Sequence, residues 1–155
     1  MASQAACRRM LAPNLKRATF LATFLASTAW AADPHPLLVE LPVTGMKLIA
    51  PAEYGAASAL AASGGSPLDI ALRIVGEFEG AEQHIVQVNE GSEAPSSSQI
   101  TVLRDGIMDD SVRGERWDIA LNRTSAGTWE IGMVKWAWRC RRGELPDRFA
   151  TISCP

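Results

Sequence analysis

The 155 residues carry 15 Lys+Arg and 17 Asp+Glu, a formal charge of −2. Four of the bases and none of the acids fall in the first 31 residues, so residues 32–155 hold 11 bases against 17 acids, a charge of −6. A surplus of that sign argues against a general nucleic-acid binder, whose affinity for phosphate needs net positive surface. The 124 residues concerned suffice for one domain, which buries roughly two-thirds of its unfolded surface.

The N-terminus reads as a cleavable signal peptide over residues 1–31. Arg8, Arg9, Lys16 and Arg17 form a positive region, and an uncharged, mostly apolar run follows over 18–29. Ala29 and Ala31 then present small side chains around Trp30, so cleavage is expected after Ala31. An apolar run of about a dozen residues is too short for a membrane span, which needs about 20. Cys7 lies upstream of this run and not at its end, which argues against a lipid anchor. The expectation is an exported protein, periplasmic or extracellular, with no transmembrane segment after cleavage. Cys140 and Cys154 are the cysteines that remain, and an even count in an exported chain predicts a disulfide. Neither has a nearby histidine or a Cys-x-x-Cys partner, so no metal site is expected there.

Residues 32–65 read as a weakly structured arm. A short strand over 37–41 lies between Pro36 and Pro42. The alanine-rich stretch 51–63 has helix-forming content but little amphipathic contrast, and Gly64-Gly65 ends it.

Residues 66–155 read as an α+β domain, one helix packed on a small antiparallel meander of about four strands. Ser66 is a capping residue, Pro67 suits the first helical position, and Asp69 falls in the first turn. Leu68, Ala71, Leu72, Val75 and Phe78 then share one helical face, predicting a helix over 67–79 closed by Gly80. Strand period competes: Leu68, Ile70, Leu72, Ile74 and Phe78 alternate with polar residues. Strands are expected over 83–90, 100–108, 116–122 and 129–140. In the last of these the apolar phase slips, from Trp129, Ile131 and Met133 to Val134, Trp136, Trp138 and Cys140. A period-2 strand buries both sets on one face only with an inserted residue, so a β-bulge is expected near 132–134. The tail after Cys140 is expected to be a loop drawn back by the disulfide.

Signals for chemistry are sparse. No serine stands in a Gly-x-Ser-x-Gly context. His35 invites a square-planar metal site at the mature N-terminus, but Pro34 lacks the amide that such geometry deprotonates. Asp105, Asp109 and Asp110 lack the spacing of a calcium loop and read as turn chemistry. Asn122-Arg123-Thr124 matches a glycosylation triplet, which matters only in a eukaryotic secretory pathway. Trp136 and Trp138 share one face of a strand with Lys135 and Arg139 on the other, and core packing accounts for them best.

The arginines are the unusual feature. Arg139, Arg141, Arg142 and Arg148 fall within ten residues of an otherwise acidic domain, with Glu144 and Asp147 beside them. Their planar forks suit carboxylates and phosphates, and a disulfide-tied loop would hold them in place. They are the candidate anion contacts.

From Ile100 onward the chain resembles a group of small uncharacterised exported bacterial proteins. The shared pattern is Gly-Ile-Met-Asp-Asp-Ser-Val over 106–112, Arg116-Trp117, Trp129-Glu130-Ile131 and Trp138-Arg139-Cys140, with Gly143 and Cys154 after it. The resemblance implies a meander-plus-disulfide scaffold in the cell envelope and no activity. Together these readings predict a non-enzymatic binding or envelope-interaction module without a cofactor, whose partner is an acidic envelope polymer or protein and no nucleic acid. The competing expectation is a small hydrolase or metal-dependent enzyme using Asp105, Asp109, Asp110 and His84.

Overall fold

A computed structural model of the chain describes residues 38–91, 93–143 and 147–155. The expected signal peptide lies outside the described residues. Among the described residues, no helix is long and apolar enough to cross a membrane.

The fold is α+β. Its strands are β1 (Lys47–Leu48), β2 (Glu82–Glu90), β3 (Ser97–Asp105), β4 (Val112–Arg123) and β5 (Trp129–Cys140), in one antiparallel sheet of order β1-β5-β4-β3-β2. The last four form the expected meander. Two helices, α1 (Gly55–Ala62) and α2 (Pro67–Val75), pack on one face of it.

Helix wins over strand at α2 because both of its ends are specified. The Ser66 hydroxyl accepts the amide N–H of Asp69 at 3.2 Å and donates to the Asp69 carboxylate at 2.6 Å, with Pro67 at the first position. The helix stops at Val75, four residues short of the expected end. Gly76 adopts φ +69°, a left-handed conformation open to glycine, and its N–H bonds the Leu72 carbonyl. The buried stripe is Ile70, Ala71 and Val75, so the expected face is displaced and Leu68 stands 37% exposed.

The expected weak arm is folded from Leu38 onward. Its first element is a 3-10 turn over Leu38–Glu40 and not the strand expected there, and a second 3-10 turn over Pro51–Tyr54 leads into α1. Ile49, Tyr54, Ala57 and Ala61 are all buried in the main core. Ala57 and Ala61 are one helical turn apart, and their small side chains bring α1 close to α2 and β5. Burial here comes from close approach and not from amphipathic contrast.

The bulge in β5 falls within the expected stretch. Ala120 pairs with Met133 and Leu121 with Ile131, leaving Gly132 as the extra residue. Trp129 and Ile131 before it therefore face the helices together with Val134 and Trp136 after it. Strand β3 ends at Asp105, three residues early, because Gly106 at φ +66° turns the chain.

The opposite face of the sheet is covered at one end only. Leu103, Ala137 and Phe149 are fully buried there beneath Leu41 and Met46. The tail is tied in more closely than a loop. Phe149 bridges Val43, Ala150 bridges Trp138, and Cys140 is disulfide-bonded to Cys154.

Candidate functional site: the C-terminal arginine end

The four candidate arginines divide into three environments. Arg139 is 5% exposed, and its guanidinium meets the Asp105 carboxylate at 2.5 Å. Asp105 also receives Arg113 at 3.5 Å. The expected anion contact at Arg139 is therefore an internal ion pair. Sheet register is the cause. Asp105 stands opposite Gly114 on β4, and Gly114 stands opposite Arg139 on β5. The missing side chain at Gly114 leaves the path by which Arg139 crosses β4. A Cβ built there would lie 3.1 Å from Arg139 Nε and 2.6 Å from the Arg104 carbonyl oxygen.

Arg141 is exposed but engaged. Its Nε donates to the Asp109 carbonyl at 3.1 Å, and Nη2 donates to the Ile107 carbonyl at 2.6 Å. Its backbone N–H bonds the Ser111 carbonyl at 2.7 Å. Arg141 thus laces the β3–β4 loop to the end of β5, and only part of its fork faces outward.

Arg142 and Arg148 are exposed and have no hydrogen bond or ion pair among the described residues. Both lie between Cys140 and Cys154, Arg142 two residues after the first cysteine and Arg148 beside Phe149, which bridges Val43. These two are the cations of the expected set that are open to a partner.

The residues of the alternative enzyme reading are occupied separately. The Asp109 carboxylate accepts the N–H of Val112 at 2.6 Å, the N–H of Ser111 at 2.8 Å and the Ser111 hydroxyl at 3.0 Å. The Val112 amide above all holds its carboxyl below the usual carboxylate range. Asp105 is taken by arginines, Asp110 is exposed, and His84 sits on β2 beside Glu82 at 3.2 Å. Among the described residues, no group of three or more His, Cys, Asp or Glu side chains could hold a metal ion.

Two features escaped the sequence reading. Arg104 lies on the helix face of β3, 4% exposed, and closes the C-terminus of α2. It donates to the Val75 carbonyl at 2.8 Å and the Gly76 carbonyl at 2.5 Å, and its Nε donates to the Gln83 side chain at 3.0 Å. Burial lowers its pKa, opposed by the nearby Glu115 carboxylate. The second feature is a tryptophan stack. Trp117 and Trp136 lie 5.4 Å apart across β4 and β5, and Trp138 lies 4.6 Å from Trp136. All three are half-buried. Rings this close stack on each other and are not spaced to receive successive rings of a ligand, so packing is their role.

No protein-family profile matches the chain, and no curated protein or solved structure is significantly similar to it.

Proposed function

We propose that the protein is an exported, non-enzymatic binding module of the cell envelope, and that it contacts an acidic polymer or protein through its disulfide-anchored C-terminal end. The observation that carries this reading is the state of Arg142 and Arg148. Both are exposed and without ionic partners among the described residues, although the domain has acids in surplus. Surface arginines in an acidic protein ordinarily find local carboxylates. Arg142 stands two residues from the disulfide and Arg148 next to the bridged Phe149, so the backbone at each loses little ordering entropy when a ligand is engaged. The disulfide is compatible with an oxidising compartment outside the cytoplasm. Against the enzyme reading, Asp105, Asp109 and His84 each engage other partners, and catalysis would need them free to converge on one point.

The test uses poly-L-glutamate as the acidic probe. Binding is measured by calorimetry at low and at physiological salt, for the protein and for Arg142→Glu/Arg148→Glu. The expected result is salt-sensitive binding that the double reversal weakens about tenfold, with thermal unfolding unchanged. Binding unaffected by the reversal, or no binding at low salt, overturns the proposal.

A further inference from the structure

Strand β2 forms one edge of the sheet. Its nine residues pair with β3 in unbroken register, from Glu82 opposite Asp105 to Glu90 opposite Ser97. Eight of the nine are exposed, among them Ile85 at 38%, Val86 at 40% and Val88 at 62%. Proteins usually blunt such an edge by making it short, by bulging it, or by placing proline or lysine along it. β2 has none of these, whereas β1 at the other edge is only two residues long.

What β2 has instead is charge at its ends. Glu82 and Glu90 bracket a middle that holds Ile85, Val86 and Val88 among polar residues, and Glu77, Glu79 and Glu93 stand exposed just beyond it. Glu82, His84, Val86, Val88 and Glu90 project from the same face of the strand, with His84 beside Glu82 at 3.2 Å and Glu90 accepting the Ser97 hydroxyl at 2.9 Å, each carboxylate remaining exposed. A second copy pairing antiparallel about Val86 would set Glu82 against Glu90 at both ends. Like charges directly opposite are destabilising, so the strand is guarded against itself. The same two carboxylates favour a strand with cations at matching positions. Because they sit symmetrically about Val86, the match holds for either direction of the incoming chain.

We propose that β2 is the site at which an extended segment of a partner protein joins the sheet, with Lys or Arg eight residues apart and β-branched residues between them. Main-chain hydrogen bonds along the open edge supply the affinity, and the two terminal ion pairs select the sequence. This surface is separate from the arginine end, because β3 and β4 lie between β2 and β5, and it is opposite in sign.

The experiment titrates isotope-labelled protein with a nonapeptide carrying Lys at its first and ninth positions and alternating Thr and Val between them. Two control peptides replace both Lys by Glu, or N-methylate alternate backbone amides. Amide shifts confined to β2 and its neighbour β3 are expected, with the Lys peptide binding about tenfold more tightly than the Glu peptide. The N-methylated peptide should lose binding. In Glu82→Lys/Glu90→Lys the preference should invert, while resonances of α1 and α2 stay in place. Shifts elsewhere, a preference unchanged by the reversal, or no response at millimolar peptide overturns the proposal. So does a concentration-dependent dimer that perturbs β2, which would make the occupant a second copy.

Discussion

At the scale of the residue, Gly114 decides more than its size suggests. It stands between Asp105 and Arg139 in the sheet, and its bare backbone lets a buried guanidinium reach a carboxylate two strands away. Gly114→Ala places a methyl 2.6 Å from the Arg104 carbonyl oxygen, which is backbone and cannot step aside. The expected outcome is a loss of about 1–3 kcal/mol in urea unfolding, the usual cost of overpacking. A variant as stable as the parent would show that β4 accommodates the methyl. Arg139 itself was legible in the sequence only as one basic residue among four. Its burial depends on the pairing register of three strands, which no local pattern encodes. Arg142 and Arg148 lie outside the paired strands and kept the surface placement expected of them.

At the scale of the element, features announced by adjacent residues were readable, and features created by distant contacts were not. Ser66-Pro67 and the left-handed Gly76 mark the two ends of α2 locally, with Arg104 from β3 closing the second end, and Gly76 outranked Gly80 as the stop. The phase slip in β5 located the bulge because two apolar sets cannot share a face at period 2. α1 gave no such signal, since alanines carry little hydrophobic contrast and bury by proximity to α2 and β5. Deleting Gly132 tests the logic of the bulge. With the extra residue gone, pairing on either side can continue only if Trp129 and Ile131, or Val134 and Trp136, turn to the other face. The expected result is loss of the near-ultraviolet tryptophan signal and of cooperative unfolding. Retention of both would mean that the bulge is dispensable.

At the scale of the whole molecule, the α+β class followed from the order of the expected helix and strands and the disulfide from the cysteine count, while the attachment of the N-terminal segment did not. Thr44 bonds Phe149, and Leu41 and Met46 cover the far side of the sheet, so the segment read as an arm supplies two of the five residues of the second core. Reduction of Cys140–Cys154, which lie 14 residues apart, is expected to lower stability by about 3 kcal/mol. The midpoint of chemical denaturation, with and without reductant, measures it. Phe149 is fully buried between the two cysteines, so its release on reduction should be visible as faster amide exchange at residues 149 and 150. Equal midpoints would leave the bridge at Trp138–Ala150 as the tie that matters.

The junction of Thr44 with Phe149 joins positions 105 residues apart. Closing so long a loop is among the slowest events in folding a small domain, because its entropy is lost before contacts compensate it. The segment that completes the second core also follows all five strands in chain order. A nascent chain of this protein can form α2 and the β2–β3 hairpin early, yet cannot seal Leu103 and Ala137 until residue 149 has emerged. During synthesis the second core can thus close only after the strands beneath it have been made.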